Sequence, residues 1–132
     1  MKTTKKFSGP CPCCSRRAYA LCCKPWHEGK PPPDAEALMR SRYSAYVLGL
    51  EDYLLATWHP ETRPAKLDLT AIRTRWTGLK VLRHESHDGG AIVEFVARYK
   101  ASGRTHELHE TSRFVCENGR WFYVDGDIHG SG

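Results

Sequence analysis

The sequence predicts an α+β chain in which a small cysteine-rich head precedes about three helices packed on a four-stranded antiparallel sheet. Three observations carry this expectation. Five of the six cysteines fall within the first 23 residues. Apolar residues at helical spacing are confined to the stretch from Asp34 to Trp76. After Trp76 the period changes to alternation, interrupted by turn signals at Asp88-Gly89-Gly90, Ser102-Gly103 and Asn118-Gly119. Helices first and strands afterwards exclude a βαβ parallel sheet. With 132 residues, 40% hydrophobic and 27% charged, the chain has the length for one real core and excludes a multidomain machine.

The head is expected to span residues 1–30 and the body 31–132. Charge divides at the same place: through Pro33 seven basic residues face one acidic residue, whereas 13 face 14 from Asp34 onward. No apolar run of signal-peptide or membrane-span length follows Met1, so the expected address is the cytoplasm, where thiols stay reduced and clustered cysteines bind metal more often than they pair. Cys11-Pro12-Cys13 and Cys22-Cys23 place four thiols on one short loop, the complement of a closed tetrahedral structural zinc site, with one Zn²⁺ as the expected cofactor. Disulfides, a redox-sensitive thiol cluster and unliganded buried cysteines are the competing readings. Cys14 and His27 are alternative ligands, and Cys116 reads as a small buried apolar residue. Around the cysteines, Arg16, Arg17, Tyr19, Lys24 and Trp26 form an expected docking surface for a protein partner. Basic and aromatic residues so interleaved also suit nucleic acid, but the body has no basic stripe to extend such a footprint. No membrane role is expected.

Glu28-Gly29-Lys30-Pro31-Pro32-Pro33 reads as a semi-rigid connection. Asp34 is the expected N-cap of the first body helix, with Glu36 in its first turn. Ala35, Met39, Tyr43, Tyr46, Val47 and Leu50 gather on one face, Leu38 and Ala45 extend it, and Gly49 breaks the pattern. A second short helix runs from Leu50 to Trp58 and stops at His59-Pro60. Asp68 caps an expected third, bearing Leu69, Ile72 and Trp76. Strands follow at about 78–87, 91–101, 105–116 and 120–127 in a meander.

Alternation puts Leu108, Glu110, Ser112 and Phe114 on one face of the third strand, and Arg42 falls within the apolar arc of the first body helix. A charge buried alone is prohibitively costly, so Arg42 and Glu110 are expected to pair, with Tyr43, Tyr46, His59 and Ser112 as neighbours. This cluster either orients the helix or lines a cavity for a small ligand. An enzyme using Glu110 or His59 as general base is the alternative, and no residue is assigned as catalytic. His84, His87 and His106 are expected on the surface, without the convergence of a second metal site.

Residues 11–23, Cys-Pro-Cys-Cys-Ser-Arg-Arg-Ala-Tyr-Ala-Leu-Cys-Cys, resemble the SEC-C motif, a zinc knuckle that serves partner contact in the SecA translocation ATPase. The resemblance implies Cys11, Cys13, Cys22 and Cys23 as ligands, with Cys14-Ser15 standing where the motif usually has Gly-Ser. Glu36 to Tyr46, Thr57-Trp58-His59-Pro60, His109-Glu110, Ser112-Arg113-Phe114 and Trp121 to Gly126 extend the likeness to the YchJ-like bacterial family. That family is similar to the NTF2-like fold, a cone of helices over a curved sheet. It implies a fold and a metal rather than a reaction. The expectation is a small cytoplasmic zinc-binding protein, its head an interaction module and its body a scaffold or ligand-binding domain.

Overall fold

A computed structural model describes residues 9–67 and 75–129. In the head, a 3-10 turn at Tyr19–Leu21 leads into the short helix α1, Lys24–His27. Two body helices follow, α2 at Ala35–Leu48 and α3 at Glu51–Ala56. Asp34 caps α2 by accepting the Ala37 N–H at 2.8 Å, and Gly49, at φ 74°, ends it in the left-handed conformation that glycine adopts without penalty. The helix expected after Asp68, with Leu69 and Ile72, lies outside the described residues. Trp76, expected on that helix, stands instead in the first strand. There its ring lies 5.9 Å from Tyr43 and 5.1 Å from Tyr99, so tertiary aromatic packing overrides a helical spacing that was coincidental.

The four strands are β1 Arg75–His87, β2 Gly90–Ala101, β3 Arg104–Glu117 and β4 Arg120–Ile128. They pair in sequence order as an antiparallel meander. Two connections carry positive φ at both loop residues, Ser102-Gly103 and Asn118-Gly119, the backbone whose twist matches the flanking strands. The two sheet edges differ. Trp58 forms a parallel bridge to Tyr123 on the outer side of β4, with the Tyr123 N–H donating to Thr57 and the His59 N–H donating to Tyr123. The β1 edge is interrupted by register shifts at Trp76/Gly78 and Val81/Arg83.

Helix α2 lies between the head and the sheet, and this explains its burial. Ala35, Leu38, Met39, Arg42, Tyr43 and Ala45 are buried as its period predicts, but so are Ser41 and Ser44. The Ser44 hydroxyl lies under the cysteine loop, and Ser41 is covered by His27 of the head and Tyr53 of α3, on the side that sequence periodicity assigns to solvent. Val47, expected on the buried face, is 39% exposed. Cys11, Cys13, Tyr19, Cys22 and Cys23 belong to the same core as Leu38, Met39, Val93, Phe95 and Phe114. Proline does not hold the head apart: Pro32 is itself buried.

Candidate metal centre and body cavity

Cys11, Cys13, Cys22 and Cys23 are all buried, with their Sγ atoms within 4.8 Å of one another. Cys13 and Cys22 are 3.6 Å apart and Cys22 and Cys23 3.9 Å apart. Thiolates bonded at roughly 2.3 Å to one tetrahedral ion would stand about 3.8 Å apart. The spacing therefore fits four-coordinate metal and is far beyond the roughly 2.05 Å of a disulfide. Backbone bonds fold the loop: the Cys11 N–H donates to Arg17 at 2.8 Å and the Cys14 N–H to Cys11 at 3.2 Å. Supporting contacts come from the body, since Ser44 Oγ lies 3.4 Å from Cys23 Sγ and 3.5 Å from Cys11 Sγ. Arg40 donates to the Cys13 carbonyl at 3.0 Å.

Four thiols this close cannot ionise independently. Hydrogen bonds from Cys11 and Cys23 hold Cys13 well below the usual thiol range, while Cys23 is pushed up by its bonds to Cys11 and Cys13. Burial pushes Cys22 up to about 11. One thiolate forms readily and its neighbours then resist, so a shared cation is what would let all four serve as anions.

Neither alternative ligand belongs to the quartet. Cys14 is exposed, its Sγ turned to the Pro12 carbonyl at 3.6 Å, and its φ of 67° explains why glycine suits this position. His27 Nε2–H donates to the Ser41 carbonyl at 2.8 Å, which leaves Nδ1 to accept the Tyr19 hydroxyl at 2.6 Å. Burial pushes the His27 pKa down, so the neutral ring locks head to helix.

The residues expected to form the docking surface divide. Arg16 and Arg17 are exposed beside Leu21, which is 70% exposed, although Arg17 also donates to the Leu21 carbonyl at 2.7 Å. Lys24 and Trp26 are half-buried. Tyr19 is a correction: it is fully buried, because its hydroxyl serves His27 and its ring fills the head's core.

In the body, Arg42, Tyr43, Tyr46, Glu110 and Ser112 line one cavity of about 230 Å³, walled further by Trp58, Trp76, Phe95 and Tyr123. The expected Arg42–Glu110 ion pair is not formed. Arg42 Nη1 donates to the Leu54 carbonyl at 2.8 Å and to Thr57 Oγ1 at 2.7 Å, satisfying the C-terminal end of α3, whose docking the sequence does not reveal. Its guanidinium lies 4.6 Å from the centre of the Tyr123 ring and 5.2 Å from that of Trp58. Burial pushes the Arg42 pKa down, yet a guanidinium remains charged in a protein.

Glu110 receives its bonds from neutral groups, Ser112 Oγ at 2.7 Å and the Tyr123 hydroxyl at 3.3 Å. Burial, then Glu110, pushes the Tyr123 pKa up, which keeps that hydroxyl a donor. Tyr123 thus touches both charges without letting them meet. The carboxylate leans over Gly126, the cross-strand partner of Ser112, where any Cβ would overlap Glu110 Oε2 and stand 2.9 Å from its Cδ. Tyr123 and Gly126 were missed as site residues; a glycine inside an alternating strand was the available signal. The indole N–H of Trp58 is buried with no partner among the described residues.

His59 is a correction. It lies outside the cavity at the β4 edge, with Nε2 3.1 Å from Glu117 and Nδ1 accepting the Glu61 N–H. The turn at Pro60 fixes it there and removes it as a base for the cavity. No helix among the described residues is long and apolar enough to cross a membrane.

Comparison with known proteins covers both regions. The model of a family described as "YchJ, middle NTF2-like domain" matches residues 34–126. A UPF0225 protein of Bordetella pertussis is 52% identical over 132 residues, covering 97% of this chain and 99% of its own. One from Methylibium petroleiphilum is 56% identical over 122 residues, covering 90% and 88%. The solution structure of a SEC-C motif containing protein from Rhodopseudomonas palustris superimposes with a TM-score of 0.82 at 32% identity, covering 92% of this chain and all of that one. A crystal structure of another, from Psychrobacter arcticus, gives 0.76 at 30% identity, covering all of this chain and 88% of that one. With its cysteine quartet packed against this cone-like body, the chain belongs to the YchJ-like UPF0225 family, a SEC-C-type head joined to an NTF2-like domain.

Proposed function

We propose that this protein binds a small molecule in the body cavity and that a structural Zn²⁺ at Cys11, Cys13, Cys22 and Cys23 holds the head that braces α2. Zinc is the ion favoured by four thiolates in a closed, buried shell, and it would supply a redox-inert crosslink. The single observation that carries the ligand reading is Glu110. It is a buried carboxylate with no cation at ion-pair distance among the described residues, aimed among aromatic walls and given its room by Gly126. The cavity falls below the roughly 300–1,000 Å³ of drug-sized pockets, which suits a small flat apolar molecule presenting one hydrogen-bond donor or cationic nitrogen to Glu110.

Trp58 and Trp76 on the cavity wall supply the readout. Small aromatic amines and amidines should change their fluorescence and raise the melting temperature of the zinc-loaded protein, and Glu110→Gln should abolish both effects. A ligand response unchanged in Glu110→Gln would overturn the reading. A second function, docking of an acidic protein partner on the head, is supported by the exposure of Arg16, Arg17 and Leu21. Its test is a complex lost in the Arg16→Ala, Arg17→Ala double variant while the metal is retained.

A further inference from the structure

On the opposite face of the sheet, away from both sites above, three chemically reactive side chains converge. Glu94 of β2 is paired with Thr111 of β3, and His109 lies two residues along β3 on the same face. The chain leaving β4 keeps register, the His129 N–H donating to the His109 carbonyl at 2.8 Å, and this places His129 beside His109. The ligand atoms of Glu94, His109 and His129 all lie within 4.8 Å of one another. We propose that these three residues form a second metal site, for a divalent transition ion that accepts mixed imidazole and carboxylate donors.

The donor chemistry separates this site from the head. Four thiolates close the shell of a soft or borderline ion, whereas two imidazoles and one carboxylate suit Zn²⁺, Ni²⁺ or Cu²⁺ and leave coordination positions open. His109 Nε2 lies 2.7 Å from Glu94 Oε2, and His129 Nε2 lies 2.7 Å from Thr111 Oγ1, so among the described residues each ring keeps Nδ1 uncommitted. The two rings stack with centroids 4.1 Å apart and planes 28° from parallel. Donors bonded at about 2.0–2.2 Å to one tetrahedral ion would stand about 3.3–3.6 Å apart, so the 2.7 Å His109–Glu94 contact must lengthen and the stack must open by side-chain rotation. The residues are half-buried or exposed, which leaves that rotation room. Outer partners are in place: Thr111 holds His129, and Arg83 Nε stands 3.4 Å from Glu94 Oε1.

The experiment uses the full chain with its cysteine quartet already loaded. Zn²⁺ titration followed by calorimetry and native mass spectrometry should reveal a second equivalent of micromolar affinity. His109→Gln, His129→Gln and Glu94→Gln should each weaken it at least about tenfold while the first equivalent stays. Co²⁺ at the second site should add a visible band without thiolate-to-metal charge transfer. The proposal is overturned if only one equivalent binds, if the second persists in the His109→Gln, His129→Gln double variant, or if its cobalt spectrum reports sulfur.

Discussion

The cysteine quartet and the body cavity both bury charge-bearing groups, and they solve the same problem in opposite ways. In the head, four like groups converge within 4.8 Å, where a metal cation could be shared among them. In the cavity, one cation and one carboxylate are kept apart, each satisfied by neutral partners: a carbonyl, hydroxyls and aromatic faces. A converged site fails as a unit, while a dispersed one loses stability in increments.

Metal removal tests the first half most severely. Four-cysteine sites contribute roughly 10–16 kcal/mol of apparent binding energy, comparable to the total stability of a domain. Because the cysteines share the core of α2 and the sheet, chelation or Cys13→Ser should abolish the cooperative melt of the whole chain. A body that still melts cooperatively would show two separable cores. Next in size is Arg42→Met, expected to cost about 3 kcal/mol in urea unfolding, since the Leu54 carbonyl and Thr57 lose their buried donor.

His27→Ala should cost about 2 kcal/mol by removing the two hydrogen bonds through which the ring joins the Tyr19 hydroxyl to the Ser41 carbonyl. It also carries a pH signature. The folded pKa of His27 is depressed, so below the ordinary histidine value near 6.5 the unfolded chain binds the extra proton and stability falls with falling pH. That component, present above pH ~6.5, should be missing from the variant's stability profile. Gly126→Ala should cost about 1–3 kcal/mol and displace Glu110, removing the ligand response along with the stability. At the small end, Val47→Lys should leave stability within about 0.5 kcal/mol, because the side chain faces solvent despite its apolar character.

The parts of the molecule governed by local rules were legible. Asp34 and Gly49 bracket α2, the turn dipeptides divide the meander, and alternation turns Glu110 and Ser112 inward. Cysteine spacing located the quartet because a short loop must bring those thiols together. What escaped depended on contacts between elements. Ser41 and Ser44 look like solvent-facing positions until the head is laid over them, and Trp76 fits a helical period until Tyr43 and Tyr99 claim it. Arg42 was recognised as a buried charge needing a partner, but the partner is a helix terminus whose position no periodicity encodes. The cluster of Glu94, His109 and His129 escaped for the same reason, since three residues from three segments meet only through strand register.

The unlike margins of the sheet set how copies of this chain can meet. Strand addition needs a straight run of open N–H and C=O groups, and neither margin offers one: Trp58 occupies the middle of the β4 side, and two bulges with Arg75, Lys80 and Arg83 disrupt the β1 side. Continuous sheets running from molecule to molecule, and the fibres that grow from them, are thereby disfavoured. Self-association would have to use side chains on a face, where composition can tune its strength without disturbing the backbone.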